Sequence, residues 1–125
     1  MCLYLKDNRL TPEKASEDIV CYKVLEKLDG MLFTPYRSML VQCEKITEEY
    51  FQYTPTDRHI DVGIHSFSQE SKAIMRCKEL NNCIISRRYL VKKCIIPAGT
   101  PYWVGNNDEL CSKELILKET IYPEL

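Results

Sequence analysis

Apolar and polar positions form their sharpest pattern between residues 87 and 119. Residues 89–96 alternate with neither face wholly polar, which is typical of a strand covered on both sides. Pro97 and Gly99 then predict a turn, because proline presets φ and glycine accepts positive φ. A second turn and the run KELILK follow. The pattern predicts a C-terminal three-stranded meander over about 89–118.

Two other runs give clear periodic signals. The run IVCYKVL at 19–25 is rich in β-branched and aromatic residues, as strands are. Behind Ser68, a good helix N-cap, apolar residues recur on one helical face and predict a helix over about 69–80. The Thr-Pro pair at 11–12 predicts one or two helical turns. Residues 34–60 are compatible with strand, helix or loop.

These elements together predict an α+β fold with a mainly antiparallel sheet, the helix at about 69–80 in a central position and the meander at about 89–118. The 125 residues suit a single α+β domain over 1–125 with a core of its own.

Composition narrows the classes of function. A net charge of −1 argues against dedicated nucleic-acid binding, which favours a basic surface. The cluster of Arg87, Arg88, Lys92 and Lys93 does not change this expectation, because strict alternation places Lys92 and Lys93 on opposite faces of one strand. No apolar run approaches the length of a membrane span, so no membrane contact is expected.

Seven cysteines are scattered along the chain without a CxxC pair, so no metal site is expected. The set fits a reduced, cytoplasmic protein whose thiols act as small buried hydrophobes. A pair of His65 with Cys77 or Cys111 is a further arrangement, although seven cysteines make such a pairing easy to find by chance.

Candidate catalytic residues are His65, Glu109 and Glu114. Because histidine ordinarily changes its protonation near neutral pH, His65 suits a general base or a ligand contact, or it donates to a backbone carbonyl at the strand end. The two glutamates flank a turn, where catalytic and solvated carboxylates are both compatible with the sequence. Ser66 and Ser68 lack G-x-S-x-G surroundings, which argues against a hydrolase nucleophile.

Tyr102 and Trp103 form an aromatic segment between the two predicted turns. Tyrosine and tryptophan combine a large apolar area with a polar group and are enriched at protein interfaces. Half-buried positions in a sheet explain them equally well. Both readings remain open at this point.

The runs CYKVL, GIHSF and CIIPAGTPYWVG, with CSKELIL behind them, resemble a group of small uncharacterised bacterial and phage-type proteins. The resemblance covers roughly the last half of the chain and one early strand. It implies a shared fold and brings no activity with it.

The order of strand, GIHSFS segment, helix and late glutamates is also similar to the ADP-ribosyltransferase fold. That resemblance implies an NAD site in which Ser66 and Ser68 belong to the serine-bearing strand and Glu109 or Glu114 supplies the late glutamate. Tyr22 and Lys23 stand where that family has Arg or His. With His65, this gives the ligand-binding candidates Tyr22, Lys23, His65, Ser66 and Ser68.

The leading expectation is a non-catalytic binding or self-associating domain whose contact region includes Tyr102 and Trp103. Its partner would be another protein or a second copy, with no cofactor. The alternative is an ADP-ribosyltransferase-like NAD-binding enzyme or a degenerate relative.

Overall fold

A computed structural model of the chain describes residues 3–6, 11–35, 40–41, 43–47, 52–54, 59–83 and 88–123. Arg87 and the stretches 36–39, 48–51 and 55–58, where the sequence left alternatives open, lie outside the described residues. The elements are β1 (Leu3–Tyr4), β2 (Glu13–Lys14), β3 (Ile19–Leu28), β4 (Met31–Phe33), β5 (Leu40–Val41), β6 (Lys45–Thr47), β7 (Gln52–Thr54), β8 (His59–Val62), β9 (Ile64–Phe67), α1 (Glu70–Cys83), β10 (Arg88–Ile96), β11 (Pro101–Val104), a 3-10 turn (Asn106–Asp108), β12 (Glu109–Ser112) and β13 (Glu114–Tyr122).

The expected α+β fold with a central helix is wrong, because strands make up 59% of the structure and α1 is the one α-helix among the described residues. The described strand pairs are antiparallel, as expected for the sheet. The helical turns predicted near 11–17 are also wrong: this segment contains β2, which pairs with β11. Tertiary pairing overrides the local Thr-Pro signal here.

The main sheet has the order β2-β11-β12-β9-β3-β10-β13-β6, and the β4–β5 hairpin is attached to β3. Its central ladder joins β3 and β10 through nine residue pairs in unbroken register, from Ile19 opposite Ile96 to Lys27 opposite Arg88. A second sheet has the order β1-β8-β7. The early strand predicted at 19–25 is therefore confirmed as the start of β3.

The predicted C-terminal meander is wrong, because its three strands correspond to β10, β11 and β13, and β11 pairs with neither of the other two. β10 pairs with β3 and β13, whereas β11 pairs with β12 and β2. The turn after β10 binds the segment before β3, since the Gly99 N–H donates to the Ala15 carbonyl at 2.7 Å. This bond directs β11 away from β10. The strand predicted at 113–118 corresponds to β13, which begins one residue later at Glu114, and β12 is an additional strand before it.

The main sheet is strongly coiled. β5 and β6 stand five strand positions apart in the order β5-β4-β3-β10-β13-β6, or about 24 Å in a flat sheet. The four peptide steps from Val41 to Lys45 reach at most about 14 Å. The sheet must therefore curl until the two edges approach each other.

The concave side of this sheet carries the largest core cluster, and we call it the core face. Leu32, Val41 and Ile46, which come from the two approaching edges, all pack on this cluster. Its fully buried members come from the segment before β3 and from six strands: Ala15, Cys21, Leu25, Ile46, Ile64, Cys94, Ile96, Leu110, Leu115 and Leu117.

The opposite, convex side is covered in two places. α1 packs Ala73 and Cys77 against β3, β9 and β10. Asn81 fixes the end of the helix to β10, because its side-chain oxygen accepts the Tyr89 N–H at 2.8 Å and its amide donates to the Tyr89 carbonyl at 3.3 Å. The helix predicted over 69–80 therefore exists, but it covers part of one face.

The small sheet covers β11 and β12 through a third cluster that contains Leu3, Leu5, Ile60, Trp103 and Cys111. Gly105 lies where this sheet comes closest, and a Cβ there would meet a Leu3 methyl carbon at 2.7 Å. Its φ of −107° suits any residue, so close approach, and not backbone conformation, favours glycine.

We expect Gly105→Ala to lower the free energy of unfolding by roughly 1–3 kcal/mol, the usual effect of overpacking. Urea denaturation of Gly105→Ala, Leu3→Ala and the double variant measures this. Because Leu3→Ala removes the atoms that clash, the second substitution should have a much smaller effect in that background. Simple additivity of the two effects would contradict the proposed close contact.

Candidate functional site

Buried polar side chains gather on the core face where β3, β9 and β10 meet. Alternation along β3 places Lys23 beside Cys21 on this face. The register of the central ladder puts Cys94 directly opposite Cys21, and Lys92 directly opposite Lys23. Ser66 of β9 adds a buried hydroxyl near Cys21.

Lys23 is buried to a degree that is unusual for lysine, since only 7% of its surface is exposed. Its Nζ donates to the His65 carbonyl at 2.6 Å. Burial lowers the pKa of Lys23 to about 8, and the neighbouring Cys94, Cys111 and Cys21 offset part of the decrease. A fraction of neutral amine is therefore present near neutral pH, the state in which a lysine acts as base or nucleophile.

The thiols around this amine are protonated at neutral pH. Burial raises the pKa of Cys21 to about 11, although a hydrogen bond with Ser66 and the charge of Lys23 lower it in part. Burial and the neighbouring Cys21 raise the pKa of Cys94 to about 12. Because the thiolate is the reactive form, both side chains act as core residues.

The structure brings together His65 and Cys111, which are register partners between β9 and β12. The Cys111 Sγ lies 4.0 Å from the His65 Nε2, at the long limit of a hydrogen bond to sulfur. Cys111 is fully buried beside Trp103. Cys77, the other cysteine of that predicted pairing, lies on the buried face of α1, and burial raises its pKa to about 11.

The predicted ligand-binding residues are divided between the two faces of the sheet. Lys23 and Ser66 belong to the core face. Tyr22 packs toward the cluster beneath α1, and the His65 ring lies beside Cys111 on that convex side. These side chains therefore do not line one cleft, as an NAD site of the predicted kind requires.

The two candidate glutamates are also separated. Glu109 begins β12, where partial burial raises the pKa of its carboxyl and the positive charge of Arg76 opposes that rise. Glu114 lies at the start of β13 and forms an ion pair with Lys45 of β6 at 3.3 Å. Neither carboxylate lies in the polar cluster around Lys23.

The remaining candidates are structural in this geometry. The Ser68 hydroxyl donates to the Asp108 carbonyl at 3.2 Å, and so ties the start of α1 to the 3-10 turn. Trp103 is 3% exposed within the third core cluster, which argues against a contact surface at this side chain. Tyr102 is half-buried on the opposite side of β11, against the core-face cluster.

An open groove of about 480 Å³ lies on the core face, where residues 41–45 link the two approaching edges of the sheet. The Leu117 N–H donates to the Glu44 carbonyl at 2.7 Å and fixes this link to β13. The groove is lined by apolar, charged and thiol side chains: Leu32, Val41, Cys43, Glu44, Lys92, Leu117, Lys118 and Glu119.

Lys92 is the half-buried charged residue on the floor of this groove, and its Nζ donates to the Lys118 carbonyl at 3.3 Å. Beside it β13 is irregular: three steps from Leu117 to Thr120 oppose two steps from Cys94 to Lys92. Such a bulge bends the strand. Lys93, next in sequence, lies on the convex face, so these two lysines do not form one basic stripe.

The sequence signals did not reveal this groove. Val41, Cys43 and Glu44 fall in the region 34–60, whose structure the sequence left open. Lys92 was considered only as part of a basic cluster. The one signal in the sequence is that β10 carries a lysine, Lys92, on an otherwise apolar face. This pattern does not tell which distant strands lie close to that face.

Within the described residues, no group of three or more His, Cys, Asp or Glu side chains is arranged to hold a metal ion. The same part of the chain contains no helix with the length and apolar character that a membrane span needs.

Comparisons with protein-family models, with curated proteins and with solved structures found no match to the chain. The two resemblances drawn from sequence runs remain predictions. The candidate site is therefore argued from the geometry of this chain alone.

The buried amine and thiols predict an unusual dependence of stability on pH. The folded pKa of Lys23, about 8, lies below its ordinary 10.5, so between these values the unfolded chain binds more protons and stability rises with pH. For Cys21 and Cys94 the folded values of about 11 and 12 exceed 9.0, so above pH 9 stability falls. We expect a maximum near pH 9.

Urea denaturation at pH 7, 8, 9 and 10 tests this dependence on the wild type and on Lys23→Met. The variant keeps the side-chain length without the charge, and it should lose the rising arm, whose slope is at most about 1.4 kcal/mol per pH unit. Lys93→Met is the matched control and should keep the rise. Parallel profiles for the wild type and Lys23→Met would refute the role of this amine.

Proposed function

We propose that the protein is a non-catalytic binding domain that holds a ligand in the groove on its core face. The observation that carries the proposal is the groove itself, with apolar walls from Leu32, Val41 and Leu117 and the half-buried residue Lys92 on its floor. Its volume of about 480 Å³ falls in the range of roughly 300–1,000 Å³ that is typical of ligand sites.

The chemistry around the groove supports binding rather than catalysis. The Lys23 amine does not line the groove, and the Cys21 and Cys94 thiols beside it have raised pKa values. His65 and Cys111 do not line the groove either, and their contact of 4.0 Å is at the long limit of a hydrogen bond to sulfur.

A fragment screen by two-dimensional NMR of the full chain tests the proposal, and NAD at millimolar concentration belongs in the same screen. We expect bound fragments to shift the amide signals of β5, Lys92 and Leu117. Val41→Trp fills the groove and should abolish these shifts, whereas Val20→Trp, at an exposed valine of β3, should leave them unchanged. Fragment or NAD shifts confined to β9 and β12 would instead support a site at His65.

Self-association is a second candidate, favoured by an apolar patch at the end of the β3–β4–β5 hairpin. Leu28, Met31 and Leu40 are 51%, 47% and 39% exposed. The ladders place Leu28 opposite Met31, and Leu40 opposite Phe33 two residues further along β4, so the three lie on one face. Exposed apolar patches of this kind mark protein interfaces, and a second copy of the chain supplies the same patch.

Sedimentation velocity over a hundredfold range of concentration measures self-association directly. If a second copy covers the patch, the wild type should form dimers that Met31→Lys weakens by about tenfold or more, because a charge would be buried in the interface. Met75→Lys, at an equally exposed methionine on α1, is the matched control. A wild type that sediments as a monomer at every concentration would exclude this candidate.

A further inference from the structure

We infer that the ligand of the groove is a small amphipathic monoanion, with a carboxylate held by Lys92 and an apolar chain packed against Leu32, Val41 and Leu117. This inference rests on the proposed function and adds the chemical class of the ligand. It follows from where the charges of the groove lie relative to its apolar walls.

The charge inside the groove is positive. Lys92 is half-buried on the floor, whereas Glu44, Lys118 and Glu119 are exposed at the rim. Lys92 is thus the least exposed of the four charged residues, and a charge that less water screens interacts more strongly with a ligand. The sign of the floor residue therefore decides the sign of the ligand group that enters.

The Lys92 ammonium has capacity for such a group. It has three donors, and the structure gives one of them to the Lys118 carbonyl at 3.3 Å. The remaining donors can bind a carboxylate through charge-assisted hydrogen bonds, which are stronger than neutral ones. The Lys118 carbonyl fixes the position of the ammonium, so less side-chain freedom is lost when a ligand binds.

The rim carries two carboxylates and one ammonium, that of Lys118, so its net charge disfavours a ligand with more than one negative charge. Glu44 and Glu119 stand at the mouth, and neither forms an ion pair with a residue that the structure describes. A phosphate carries about −1.5 to −2 charges at pH 7 and would be repelled by both carboxylates more strongly than a monoanion. Nucleotides and nucleic acids are disfavoured for the same reason.

The apolar walls require the other half of the ligand to be hydrophobic. Leu32 and Val41 are cross-strand partners in β4 and β5, and Leu117 is a buried residue of β13. These side chains come from the β4–β5 edge of the coiled sheet and from β13, next to the opposite edge, with Lys92 of β10 on the floor between them. A chain that extends from the carboxylate toward the walls would remove apolar surface from water.

NMR titration of the full chain with octanoate, 1-octanol, octylammonium and octyl phosphate, each below its micelle concentration, tests the class of ligand. We expect saturable shifts of the groove amides, with octanoate bound about tenfold more tightly than octanol because of the charge-assisted hydrogen bond. Octyl phosphate should bind more weakly than octanoate, and octylammonium most weakly of all.

Two variants provide the matched comparison. Lys92→Met should reduce the affinity for octanoate to that for octanol and leave octanol binding unchanged, whereas Lys93→Met, on the opposite face, should change neither. The inference is overturned if octanoate and octanol bind equally, if octyl phosphate or octylammonium binds best, or if Lys92→Met keeps the preference. If neither these probes nor the fragments shift any groove amide, the proposed binding function fails as well.

Discussion

The unbroken register between β3 and β10 is the constraint on which the rest of the structure depends. Nine residue pairs fix which side chains of each strand face the concave core and which face the helix. A slip by one residue would turn Lys23 toward α1 and Val24 into the core-face cluster. Because β9, β13 and the β4–β5 hairpin all pair with one of these two strands, the groove inherits its geometry from the same register.

Lys23 and Lys92 show how one register pair can give two different environments. Like charges directly opposite each other on a sheet are unfavourable, and here the two ammonium groups diverge. Lys23 reaches toward β9 and donates to the His65 carbonyl, while Lys92 reaches toward β13 and donates to the Lys118 carbonyl. The first is sealed from water and has a lowered pKa. The second remains accessible from the groove.

Local signals predicted β3, α1 and the turn after β10, because propensity and periodicity act within a few residues. They failed for strand partners. The turn at Gly99 has hairpin chemistry, but its bond to Ala15 sends the chain to another part of the sheet. The groove could not be predicted for the same reason, since Val41 and Lys92 are distant in sequence and meet only because the sheet coils.

The long sequence separation across the central ladder has a consequence for folding. Ile19 pairs with Ile96, so β3 waits for its partner until most of the chain has been synthesised. Sheets with such distant pairings fold slowly, and apolar strands that have not yet paired are prone to aggregate during folding. In the run IVCYKVL, Lys23 is the one charged residue. Burying Lys23 in the folded core is costly. Before folding, however, its charge keeps this apolar strand soluble, as the charged residues that flank aggregation-prone segments do in other proteins.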